Sequence, residues 1–191
     1  MSNIEHHAFA GLDKLEELKL NNNTINSIGE GTFDGLGSLE KLVLSQNRIP
    51  RLGSKVFNGL TKLSYLDLSF NIIGSVHITS FDTLRSLRVL FLDRNILTAL
   101  DAFTFHNLES LEEINFEVNQ LIYIGRDLFS GLKKIISINL SRNLITNIHG
   151  RAFDGLTTLQ TIDISRNPIA KIIPDSIQSL CPTEECEVTV W

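Results

Sequence analysis

The chain lacks the marks of several large protein classes. It has two cysteines, Cys181 and Cys186, which are not spaced as a zinc site and have no histidine beside them. It has no basic excess: 17 Lys and Arg stand against 22 Asp and Glu, for a net charge of -5. That balance argues against a general nucleic-acid binder, which usually carries a basic stripe. No apolar run is long enough to cross a bilayer. The opening residues MSNIEHHAF show no apolar run after a basic start, so no secretory leader is read there. Nothing resembles a linker. A length of 191 residues allows one or two domains, and 42% hydrophobic content is enough to build a core.

What the chain has is a beat. Asn23, Asn47, Asn71, Asn95, Asn119, Asn143 and Asn167 recur every 24 residues without insertion or deletion. Phe9, Phe33, Phe57, Phe81, Phe105, Phe129 and Phe153 keep the same interval, and so does a leucine column from Leu12 to Leu180. A fixed period of this length signals stacked structural repeats. The unbroken count argues for one domain over 1–191: a partial repeat at 1–14, seven repeats over 15–180 and an atypical closing strand at 181–191.

The repeated unit reads Leu-x-x-Leu-x-Leu-x-x-Asn-x-Ile-x-x-Ile, then Phe-x-x-Leu. Leu39, Leu42, Leu44, Asn47, Ile49, Leu52, Phe57 and Leu60 are one instance. Leu-x-Leu has period two, the pattern of a short strand with one buried face. The asparagine follows where the chain must turn, and its side chain can bond neighbouring backbone groups. Stacked at one height, the asparagines predict a buried ladder between coils. The phenylalanines predict a spine on the opposite side.

These residues resemble the leucine-rich repeat, and the 24-residue form with its phenylalanine resembles the typical subclass. That subclass is seen in extracellular animal proteins such as Toll-like receptor ectodomains, Slit proteins and variable lymphocyte receptors. The resemblance covers about residues 4–180. It implies an α/β-class solenoid: a right-handed leucine-rich-repeat horseshoe with a concave parallel β-sheet and convex loops or short helical turns. The Gly-x-Ile-Pro signature of the plant subclass does not recur, and the bacterial internalin period is shorter.

A repeat stack needs caps, because a terminal coil otherwise exposes its core edge. The chain starts mid-repeat, with Ile4 and Phe9 in their columns but no strand and no cysteine cap before them. The favoured reading is an excised fragment, with Met1 added at the cut. The alternative is a natural chain whose open edge a partner covers. At the other end Asn167-Pro168 resembles the start of the family's cysteine-rich cap, but Ile169-Ala170-Lys171 follows where Trp-x-Cys is expected, and Ile177 replaces the phenylalanine. Counting by 24 puts Cys186 in the Leu18 column and Val188 in the Leu20 column, so Cys186–Val190 is read as a closing strand. Cys181 and Cys186 form a local disulfide on this reading; two free thiols, or thiols parted from other partners, are the alternatives.

Other motifs carry little. His6 and His7 are adjacent and diverge. His77 and His149 share a column but lie three coils apart, roughly 14 Å at strand spacing. Solvated surface histidines explain them, and no metal site is expected. No Ser-His-Asp or Cys-His set falls on one patch, so no catalytic residue and no cofactor is expected. Two glycosylation sequons occur, at Asn22 near the sheet edge and at Asn139 on the concave sheet.

On each strand the residues between the core leucines are expected to face the concave side. The central column runs Lys19, Val43, Asp67, Phe91, Asn115, Asn139, Asp163. The preceding column runs Glu17, Lys41, Tyr65, Val89, Glu113, Ser137, Thr161, and the following one Asn21, Ser45, Ser69, Asp93, Glu117, Ser141, Ser165. Val43, Tyr65, Val89 and Phe91 cluster in this grid, with Phe70 at the strand's end. Asp67, Asp93, Glu113 and Glu117 surround them, and Arg88 and Arg94 stand at the edge. An aromatic centre with a charged rim is the anatomy of a protein interface. Strand propensity alone also enriches such residues. Phe103, on the convex side, is a lesser candidate.

Two function classes remain. One is a non-catalytic recognition module binding a protein or a microbial or glycan ligand on its concave face. The resemblance implies an extracellular ectodomain in innate immunity, adhesion or guidance. The other is a structural spacer that dimerises through the N-terminal edge. Neither needs nucleic acid or membrane insertion. An enzyme is disfavoured, because no titratable groups converge.

Overall fold

The computed structural model describes residue 4, residues 8–171, residue 183 and residues 186–190. The first leucine of each Leu-x-Leu is the centre of a three-residue strand. In chain order the strands are β1 (Glu17–Lys19), β2 (Lys41–Val43), β3 (Arg51–Leu52), β4 (Tyr65–Asp67), β5 (Ser75–Val76), β6 (Val89–Phe91), β7 (Glu113–Asn115), β8 (Tyr123–Ile124), β9 (Ser137–Asn139), β10 (Asn147–Ile148), β11 (Thr161–Asp163) and β12 (Glu187–Thr189). One sheet holds β1-β2-β4-β6-β7-β9-β11-β12, all in parallel. The chain is a parallel-strand solenoid of about seven turns. Among the described residues its one helical piece is a 3-10 turn at Pro168–Lys171.

Three residues cannot hold a strand alone, so packing decides. From Leu42 to Ile162 the central residue of every strand in the sheet is fully buried. One continuous apolar core runs from Leu20 to Cys186. Opposite the sheet, seven phenylalanine rings stack with centroids 5.6–6.5 Å apart. Strands in a sheet repeat at about 4.8 Å. The ring side is therefore the longer arc and the sheet the inner, concave side. The widest step, 6.5 Å between Phe105 and Phe129, is where Phe116 replaces the usual leucine and touches both rings.

The asparagine ladder forms as expected, and its bonding is uniform. Asn95 accepts the Ile73 amide at 2.9 Å and donates to the Leu68 carbonyl of the previous coil at 3.0 Å and to Leu92 at 3.1 Å. Asn47, Asn71, Asn119, Asn143 and Asn167 repeat this set. No buried side-chain polar atom among the described residues lacks a partner. The residue before each asparagine takes a left-handed conformation in all seven coils, including Phe70 (φ 52°), Arg94 (φ 53°) and Val118 (φ 56°). A β-branched or bulky residue there is strained, and the ladder beside it holds the corner in place.

Three details depart from the sequence reading. The closing strand β12 exists, but Ile162 pairs with Val188, an offset of 26 residues instead of 24. Val188 thus takes the Leu18 column, and Cys186 lies two positions before it. A slip of two keeps the same face inward, since strands alternate with period two. Second, Ser69, Ser141 and Ser165 are buried instead of facing solvent. Their amides bond the side chains of Asp67, Asn139 and Asp163 at 2.8–3.0 Å, capping each strand. Third, short side ladders pair β3 with β5 and β8 with β10, and skip Ala99–Leu100 between them. Cys186 is disulfide-bonded. Cys181, Leu180, Ile177, His6, His7 and Met1 lie outside the described residues.

Candidate functional site

The ladder register brings the expected cluster together. Tyr65 pairs with Val89, Asp67 with Phe91, and Val43 with Asp67. The Tyr65 and Phe91 rings meet edge to face, 5.6 Å apart at 88°. Both are half-buried, as are Val43 and Val89. Val43 and Phe91 occupy the column in which Asp67, Asn115, Asn139 and Asp163 cap their strands. Two coils therefore present an apolar side chain where a strand-capping one would serve the fold.

Charge is graded across the cluster. On the N-terminal side Lys41 lies 5.0 Å from the Tyr65 ring centre and, with Lys19, ion-pairs with Glu17. Those lysines hold the Glu17 carboxyl below its ordinary range. On the other side lie the carboxylates. Burial pushes the Tyr65 hydroxyl up, and Asp67, Glu113 and Asp93 push it further, so all three acids surround the phenol. Burial also raises Asp93. Its own backbone amide opposes this, Asp67 and Glu117 add to it, and Arg94 opposes it. Glu117 is neutralised by Arg142 at 3.2 Å, whereas Asp67, Asp93 and Glu113 make no ion pair among the described residues. The surface is thus an aromatic centre with cations on one flank and unpaired carboxylates on the other.

Two expected members stand aside. Phe70 and Arg94 lie beyond β4 and β6 at the left-handed corner, where the chain leaves the sheet. There the Arg94 guanidinium covers the Phe70 ring at 4.9 Å, and Phe70 is exposed. The positive φ turns these side chains away from the strand direction. Arg88 is engaged by Glu112 through two bonds at 3.0 and 2.9 Å.

Asn139 lies on the sheet with its side-chain oxygen held by the Ser141 amide and hydroxyl. Asn22 is exposed at its corner. Phe103 is exposed on the ring side, its amide bonded to the Asp127 carbonyl. His77 and His149 accept local backbone amides through Nδ1. Among the described residues no group of His, Cys, Asp or Glu could hold a metal ion. No helix among them is long and apolar enough to cross a membrane.

Comparison with known proteins agrees with this architecture. No curated protein sequence matches the chain. Among solved structures, the crystal structure of a TLR13–ssRNA13 complex superposes with a TM-score of 0.91 at 25% identity, covering 100% of this chain and 26% of that one. The Drosophila Toll–Spatzle complex in its glycosylated form gives 0.76 at 22% identity, with 100% and 30% covered. A second structure of that complex gives 0.75 at 23%, with 100% and 29% covered. The chain therefore spans less than a third of the length of each of these three chains. The leucine rich repeat family model matches residues 1–49, 38–97, 85–143, 119–169 and 135–180. With nearly every residue inside a matched segment, the chain belongs to the leucine-rich-repeat family.

Proposed function

We propose that the chain is a single non-catalytic recognition module over 1–191, part of an extracellular receptor or secreted protein, and that it binds a protein ligand through its concave sheet. One observation carries this reading: the Tyr65–Phe91 pair stands half-exposed on the strand face among Asp67, Asp93 and Glu113. Aromatic side chains in the middle of an interface, ringed by polar groups, supply most of the binding energy in typical complexes. Likeness to the Toll complex with Spatzle supports a protein ligand. The TLR13 complex contains single-stranded RNA, so net charge alone does not remove nucleic acid from consideration. The unpaired carboxylates beside Tyr65 favour a ligand that brings positive charge, which nucleic acid does not. Glycans at Asn22 and Asn139 belong to this proposal; the second would shield the sheet two strands beyond Phe91.

The test uses a displayed protein library panned on the immobilised chain. Binders selected by the wild type should lose roughly tenfold or more in affinity on the Tyr65→Ala/Phe91→Ala double variant. Equal binding to a double variant with unchanged circular dichroism rules the patch out. Light scattering addresses the spacer alternative, in which a dimer forms through the β1 edge and binders ignore the sheet face.

A further inference from the structure

A second surface stands out on the side of the solenoid, where each coil leaves the concave sheet. It consists of the left-handed corner, the ladder asparagine and the four residues after it: 22–27, 46–51, 70–75, 94–99, 118–123, 142–147 and 166–171. Within these segments Phe70, Ile72, Ile96, Ile122, Tyr123 and Leu144 are each 44–51% exposed. Six of the ten large hydrophobic side chains exposed among the described residues are thus gathered on one side. Ile72, Ile96 and Leu144 share one column, in which Gln120 stands between Ile96 and Leu144, and Ile122 and Tyr123 lie two and three residues further along the coil of Gln120. A Cβ built on Gly74 would meet the Ile96 side chain at 3.6 Å, so Ile96 reaches back across the coil boundary.

The charge of this side is one-signed. None of the seven segments contains an Asp or Glu, although the chain carries 22 acids and a net charge of -5. Arg48, Arg51, Arg94, Arg142 and Arg166 are all exposed there. Arg142 reaches Glu117 on the sheet and Arg94 covers Phe70. Arg48, Arg51 and Arg166 make no ion pair among the described residues. The fold needs none of this. Core and ladder are complete without the exposed aliphatics, and the left-handed corner that carries Phe70 suits asparagine better. Exposed apolar side chains gathered on one side among basic groups mark an interaction site.

We propose that this side is a docking surface, separate from the concave face, for a partner protein that presents aliphatic side chains among carboxylates. Charge complementarity selects that occupant. A second copy related by a two-fold axis would set the same arginines against one another, since a two-fold contact uses one patch on both subunits. Single-stranded nucleic acid needs aromatic faces on which bases stack, whereas the strip is mostly aliphatic and the Phe70 face is taken by Arg94.

The test titrates isotope-labelled protein with a designed amphipathic peptide that bears leucines on one face and glutamates around them. A control peptide has lysine at every glutamate. The glutamate peptide should shift the amides of Ile72, Ile96 and Ile122, and the lysine peptide should not. Ile72→Ser/Ile96→Ser and Arg48→Glu/Arg166→Glu should each weaken binding roughly tenfold, while Tyr65→Ala/Phe91→Ala leaves it unchanged. All four substituted positions are exposed, so the variants retain their fold. Equal binding of both peptides, binding of neither, or shifts confined to the sheet face would overturn the proposal. So would preferential binding of polyuridylate on this side, or a dimer that Ile72→Ser/Ile96→Ser dissolves.

Discussion

The Tyr65 and Phe91 rings meet edge to face, 5.6 Å apart at 88°, across the join between neighbouring strands. Edge-to-face pairs contribute about 0.5–1.5 kcal/mol beyond the area they bury. A double-mutant cycle through Tyr65→Ala, Phe91→Ala and the double variant, read by urea unfolding, should give a coupling energy in that range. Zero coupling would mean that the two rings lie side by side without interacting, and the aromatic centre would be two independent residues.

The ladder predicts a graded series. Removing the Asn95 side chain leaves the buried Ile73 amide without its partner, while the Leu68 and Leu92 carbonyls each keep one bond, from Asn71 and Asn119. An unsatisfied buried amide costs about 1–3 kcal/mol, so Asn95→Ala should lower unfolding stability by about that amount. Asn23 sits in the first coil and is half-buried, whereas the other ladder asparagines are buried. Asn23→Ala should cost distinctly less. Chemical denaturation of the two variants settles the order, and equal losses would contradict a ladder that works by joining coils.

The ladder and the phenylalanine spine were legible in the sequence because their period never breaks and each column has one physical job. The sheet order followed from the same count. What escaped had local causes. The closing strand slips by two residues because counting cannot see how the chain between Asn167 and Cys186 is routed, and an even slip preserves the buried face. The serines after Asp67, Asn139 and Asp163 were read as solvent-facing, although an Asx residue two before a serine is itself the signal for a cap. Phe70 and Arg94 were grouped with the sheet because a strand grid has no place for a left-handed corner. The aliphatic side was visible as Ile72, Ile96 and Leu144 just after the ladder asparagine. Those positions follow no strand alternation, so periodicity does not separate them from the turn around them.

Asp93 predicts a dependence on pH. Burial raises its carboxyl above the ordinary range, so the folded state holds a proton that the unfolded state has released. Stability then falls as pH rises from the ordinary Asp value through the raised one. Asp93→Asn should therefore raise Tm at pH 7, and the gain should shrink as pH drops below the carboxylate range. A gain that is constant with pH would point to packing instead of charge. If the sheet face binds a basic ligand, the same substitution should weaken binding, so stability and affinity should move in opposite directions.

Two glycines separate backbone conformation from space. Gly59 and Gly131 occupy the same position in different coils, with φ of 85° and 92°. A Cβ at Gly59 meets nothing within 4 Å, whereas at Gly131 it would collide with the His106 carbonyl oxygen of the previous coil. Gly59→Ala should cost only the strain of a left-handed alanine, about 1–3 kcal/mol. Gly131→Ala adds a clash with backbone that no side-chain rotation can relieve. The coils on either side of residue 131 would have to part, and the spine is already widest there, between Phe105 and Phe129. Urea unfolding should show the larger loss for Gly131→Ala, and hydrogen exchange should show opening centred on the coils that carry Phe105 and Phe129. If both variants lost the same stability, the coils at this point would be free to separate, and the close approach at His106 would not constrain the stack.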